Sequence, residues 1–135
     1  MIYWKIVDEH KKSPHTLYHG LRGAKKLGIG RYLTAERKIV RDGSGNAYYE
    51  SAFHVLANLK DAVKYLNRFK NLGTKRLVEV EVPKYSSVTH KWKLQKRPGL
   101  DKVFLVGTMI ITAKNWDNRL TVEEAKDVAS ALLNS

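Results

Sequence analysis

The sequence predicts one α+β domain spanning residues 1–135, and three observations carry that prediction. Short apolar runs bounded by glycine, proline or polar clusters read as strands. Two other stretches repeat their apolar residues at helical spacing. The composition, 43% hydrophobic and 28% charged, is that of an ordinary globular chain and argues against wholesale disorder. A chain of this length buries about two thirds of its unfolded surface in one core without disulfides or a structural metal.

Residues 2–7 read as an opening strand and Thr16-Leu17-Tyr18-His19 as a second, separated by a polar turn containing Pro14. Gly20, Gly23, Gly28 and Gly30 follow among Arg22, Lys25, Lys26 and Arg31. Such a backbone can approach a ligand closely while the cations meet its charge, and it also fits a surface loop. Residues 41–46 form a turn by composition, with a strand-like segment near Tyr48–Leu56 after it. Asn58 then caps a helix of about twelve residues in which Leu59, Ala62, Val63, Leu66 and Phe69 are apolar, and Asn71-Leu72-Gly73 stops it. Lys60, Lys64 and Arg68 on its other face read as a solvated row. Leu77–Val82 alternates with period two until Pro83, and Val103–Val106 and Met109–Thr112 are two further strands around Gly107. Thr121-Val122-Glu123-Glu124 has capping-box spacing, and Ala125, Val128, Ala129, Leu132 and Leu133 are the buried stripe expected of the last helix.

The sign of the charge is the unusual feature. Twenty-five Lys and Arg against thirteen Asp and Glu give a net charge of +12, a field that recruits polyanions, nucleic acid foremost. Residues 60–102 hold twelve Lys or Arg against four Asp or Glu, whereas residues 103–135 hold three against four. Within the basic segment Lys91, Trp92, Lys93, Lys96 and Arg97 interleave cations with a ring, a pattern suited to a nucleic-acid strand if Trp92 is exposed and to the core if it is not. The absence of cysteine excludes disulfides and thiolate metal sites and fits a reducing, cytoplasmic setting. No apolar stretch approaches a membrane span, and the first residues are too short an apolar run for a signal sequence. The phosphate loop, the Gly-x-Ser-x-Gly elbow and the zincin pattern do not occur, and the five histidines are too scattered to argue for metal. His19 and His54 stand apart, because each lies beside an aromatic residue at a strand end.

Leu17-Tyr18-His19-Gly20 resembles the first motif of the ADP-ribosyltransferase-like fold, in the branch of diphtheria-type toxins and poly-ADP-ribose polymerases. His54 and Tyr65 have the eleven-residue spacing of that family's second motif, with histidine at the first of two tyrosine positions. The resemblance implies a compact, mostly antiparallel sheet with two main helices and a cleft that binds NAD or a related phosphate-rich nucleotide. It implies that His19 and Gly20 hold the ligand and that His54 and Tyr65 flank it; Arg22, Lys25 and Lys26, the cations of the glycine-punctuated stretch, are then expected to meet its phosphates. Where the family opens a late strand with a catalytic glutamate, this chain has Asp101-Lys102-Val103-Phe104. The RNA phosphotransferase branch of the fold relies on His and Arg instead, for which Arg22, Arg31, Arg76 and Arg97 are present. In size and basic character the chain also resembles many small phage-encoded proteins.

Two readings without catalysis stand beside this one. In the first the basic stretch binds DNA or RNA and the cleft is structural. In the second the protein sequesters a signalling nucleotide or blocks an acidic protein by charge complementarity.

Overall fold

The computed structural model describes residues 1–17, 25–35, 39–41, 48–50, 52–83, 95–97 and 100–133, with 40–41, 48–50, 95–97, 100–101 and 133 given by backbone alone. Its strands are β1 (Ile2–His10), β2 (Ser13–His15), β3 (Tyr32–Thr34), β4 (Ile39–Arg41), β5 (Tyr48–Glu50), β6 (Phe53–Leu56), β7 (Lys75–Glu81), β8 (Gln95–Arg97), β9 (Leu100–Val106), β10 (Thr108–Ile110) and β11 (Leu120–Thr121). Its helices are α1 (Leu59–Tyr65), α2 (Ala113–Asp117) and α3 (Val122–Leu133). The fold is α+β, and every strand pairing among the described residues is antiparallel.

The main sheet runs β3-β10-β7-β1-β6-β9-β8, with β2 added to β1 and β11 to β7; β4 and β5 form a separate pair. Its centre is uneven. β1 pairs with β7 from Ile2↔Glu81 to Asp8↔Lys75, but with β6 only at Trp4↔Leu56. Alternation along the strands divides the core between the two faces of the sheet. On one face Ile6, Leu56, Leu77 and Val103 pack against Leu59, Ala62 and Leu66 of the α1 segment and against Val122, Ala125 and Ala129 of α3. On the other, Val7, Val55, Val78, Val80 and Val106 pack with Leu27, Met109, Ile111 and Trp116.

Local signals placed the elements that have them. The Asn58 side chain accepts the Asp61 amide at 2.9 Å, as its N-cap role requires, although α1 tightens into a 3-10 turn at Leu66–Arg68 and ends sooner than the apolar repeat suggests. At α3 the capping box is closed in both directions: Thr121 N donates to Glu124 Oε1 at 3.0 Å, and Glu124 N donates to Thr121 Oγ1 at 3.2 Å. These bonds hold the Glu124 carboxyl below its usual range. Thr121→Ala is expected to lower stability by about 1 kcal/mol in urea unfolding. An unchanged midpoint would mean that water replaces the box at no cost.

Other expectations are corrected. The second strand is Ser13–His15, ahead of Thr16 and Leu17, and Pro14 lies within it opposite Glu9. Proline is tolerated there because β2 is a short strand hung on β1, and the turn is made by Lys11 and Lys12 instead. The segment expected as one strand near Tyr48–Leu56 is two, β5 and β6, in different sheets. Of the α3 stripe, Ala125 and Ala129 are buried, but Val128 and Leu132 are 41% and 65% exposed. The line that faces the core is Val122-Ala125-Ala129, and small residues on it let the helix lie close to Leu77. Tyr18, the glycines at 20 and 23, and residues 42–46 of the turn expected at 41–46 lie outside the described residues, while Arg41, its first residue, ends β4.

Candidate functional site

The side chains at 61, 64, 65 and 68 recur at i, i+3, i+4 and i+7, so α1 and the turn after it present Asp61, Lys64, Tyr65 and Arg68 along one face. That face looks over the cross-strand pair Leu56↔Val103 of β6 and β9, and Lys102 stands beside it. Together these residues line an open cleft of about 250 Å³ with an apolar floor, one ring, three cations and one carboxylate.

The ring is held from two sides. Tyr65 meets Phe69 edge to face, with centroids 5.4 Å apart and planes at 84°, and the Arg68 guanidinium lies 5.8 Å from its centroid. Phe69 in turn lies under the Lys75 ammonium at 5.9 Å, and Lys75 bonds Asp8 at 2.7 Å. A ring fixed beside a guanidinium and two ammoniums can take an aromatic group carrying phosphates: the ring contributes stacking and the cations screen the charge.

The residues singled out from the sequence are distributed as follows. Tyr65 lies in the cleft; Lys64 and Arg68, which read from sequence as a solvated row, line it with Tyr65, as does Lys102, from the segment where the resembling family has its glutamate. His54 is half-buried on β6, two residues before Leu56, with Nδ1 3.2 Å from the Ala52 carbonyl oxygen, and it is not on the cleft lining. Lys25 and Lys26, which lie within the glycine-punctuated stretch of the sequence, are exposed. Thr16 N donates to Lys25 O at 2.8 Å, Leu27 N to Pro14 O at 2.9 Å, and His15 bridges to Lys26. His19, Gly20, Arg22, Lys91, Trp92 and Lys93 lie outside the described residues, while Lys96 and Arg97 are placed by backbone on β8 beside β9.

One group was missed entirely. Lys5 reads in sequence as an ordinary charge in an opening strand, yet it is 7% exposed, and burial lowers its pKa to about 8. Its Nζ donates to the His54 carbonyl at 3.0 Å and lies 5.5 Å from the Phe53 centroid. The single-pair ladder between β1 and β6 explains it, because a backbone acceptor at that opening is met by an ammonium. Only the charged position inside an apolar alternation could have signalled this.

Among the described residues no group of His, Asp or Glu is placed to hold a metal ion, and no helix is long and apolar enough to cross a membrane. In comparison with known proteins, the sequence matches no family model, no curated protein and no solved structure.

Proposed function

We propose that the protein binds a phosphate-rich nucleotide, NAD or a relative of it, in the cleft between α1 and β9. The observation that carries the reading is the convergence of Lys64, Arg68 and Lys102 on Tyr65 above Leu56 and Val103. Tyr65 stacks on the base or the nicotinamide ring, and the three cations meet the phosphates. NAD is favoured over other nucleotides by the resemblance of Leu17–Gly20 to the first motif of the ADP-ribosyltransferase-like fold and by Tyr65 at the second tyrosine position of that family's next motif; His54, off the cleft lining, does not flank the ligand. The same resemblance implies transfer of ADP-ribose, with nucleic acid or protein as acceptor.

The test is calorimetric titration of the protein with NAD and with ADP. Saturable binding is expected, and Lys64→Ala/Arg68→Ala should weaken it by about tenfold or more, since charge-assisted bonds to phosphate are worth roughly 1.5–3 kcal/mol each. Both side chains are exposed, so the variant's thermal midpoint should stay close to the parent's. Absence of saturable binding, or equal affinity in parent and variant, would sink the reading. Transfer of label from NAD onto an acceptor is then the assay for chemistry. The net charge of +12 favours a second reading, a nucleic-acid-binding protein without catalysis. It predicts oligonucleotide binding that weakens steeply with salt while NAD leaves no heat.

A further inference from the structure

The hairpin joining β1 to β2 breaks a local rule. His10 pairs with Ser13, so the turn has two residues, and both of them, Lys11 and Lys12, have positive φ, at 51° and 63°. That is the conformation of a type I′ turn, whose twist suits a hairpin and whose preferred residues are Asn and Gly. Lysine carries a Cβ that crowds the left-handed region, and two adjacent ammoniums at a tip repel each other. The turn is nevertheless fixed: Trp116 Nε1 donates to Lys12 O at 3.2 Å, tying the tip to α2. Backbone strain kept where an easier sequence would serve points to what the side chains do.

Around that tip the chain gathers further positive charge. The His15–Lys26 bridge sets Lys25 and Lys26 beside the hairpin, and His10 and His15 meet edge to face at 5.6 Å. The nearest acids on β1 are already engaged on the sheet, Asp8 with Lys75 and Glu9 with Arg76 and Arg119. Lys11, Lys12 and Lys26 make no ion pair with a described residue.

We infer that the Lys11-Lys12 tip, with Lys25 and Lys26 beside it, is a contact surface for the phosphate backbone of duplex nucleic acid. It is separate from the nucleotide cleft and does not depend on it. Exposed Lys11 and Lys12 at the tip of a two-stranded ribbon, with exposed Lys26 on the segment bridged to it, fit a groove edge, where a ribbon is admitted and phosphates line both sides. A single strand would call for rings on which bases stack, but the two histidines here face each other and Trp116 is 7% exposed. A lipid surface would call for exposed apolar side chains to insert, whereas the tip is flanked by His10, exposed, and Ser13, half-exposed, and the apolar residues Pro14 and Trp116 are buried.

The experiment measures anisotropy of a short labelled DNA duplex against the full chain across a salt series, with Lys11→Asn/Lys12→Gly as the variant. Asn-Gly suits the turn better than the native pair, so the variant's thermal midpoint should equal or exceed the parent's. Duplex affinity at low salt should fall by about tenfold or more, and the slope of log affinity against log salt should flatten by roughly 1.8, two contacts at about 0.9 each. Lys26→Gln, which leaves the turn intact, should flatten it by roughly 0.9. NAD titration of the hairpin variant should give the parent's result, so failure here is distinct from failure of the cleft. No binding of duplex by the parent, binding of single strand or anionic vesicles alone, or slopes unchanged in both variants would overturn the inference.

Discussion

Replacing Lys5 by Met is expected to remove a gain in stability that the parent protein acquires as pH rises above 8. The amine is buried with its pKa lowered from 10.5 to about 8, and burial is the cause. Below pH 8 both folded and unfolded chains carry the ammonium, and the folded chain bears the cost of burying it. From about pH 8 to 10.5 the folded chain releases the proton while the unfolded chain retains it. The unfolded state then binds more protons, so stability rises with pH. The gap from 10.5 to about 8 corresponds to about 3 kcal/mol, with most of the rise complete by pH 10. Tyr3, whose pKa burial raises, acts in the opposite sense above pH 10 but is present in both proteins and cancels. Met fills the lysine stem but removes the bond from Lys5 Nζ to the His54 carbonyl, a cost of about 1 kcal/mol that does not vary with pH. The readout is therefore the difference between parent and variant in urea unfolding at a series of pH values. Parallel curves would mean that water reaches the amine and that it is charged in the fold as in solution.

Lys5 also marks where the sequence stops informing. The elements read correctly are those with a signal in their own residues: the period-two run of β7, the Asn58 cap, and the Thr121–Glu124 box. β2, β3, β8 and α2 span three to five residues, too few for a periodicity to emerge, and they exist because a neighbour supplies the other half of their hydrogen bonds or core. The cleft was legible only in Tyr65. Lys64 and Arg68 look solvated on a helical wheel, because nothing in the wheel says that β9 runs beneath them with Lys102 at its side. Pro14 misled for a related reason: proline breaks a central strand, but not a short one hung on the margin of β1.

Glu9→Ala is expected to lower stability by about 2 kcal/mol and Glu9→Gln by about half that, because the carboxylate gathers two guanidiniums from distant parts of the chain. Its Oε1 accepts from Arg119 Nε at 2.6 Å and from Arg76 Nε at 3.1 Å, and its Oε2 from Arg119 Nη2 at 3.3 Å. Arg119 lies 4.2 Å over the Trp116 ring and donates to the Trp116 carbonyl at 2.8 Å, so the carboxylate connects β1 and β7 to α2. Alanine leaves the two cations facing each other, whereas glutamine keeps a neutral acceptor. The hydrogen bond from Arg119 is the first cause that holds the Glu9 carboxyl below its ordinary value of 4.5, and the charge of Arg76 adds to it. A depressed folded value means that the stabilisation is complete above pH 4.5 and is lost as pH falls through that lower value. The difference between parent and Glu9→Gln in urea unfolding should accordingly be largest near neutrality and close in acid. A difference that stays constant with pH would show that Arg76 and Arg119 are held by the carbonyls of Gly73, Lys75 and Trp116, with Glu9 contributing shape rather than charge.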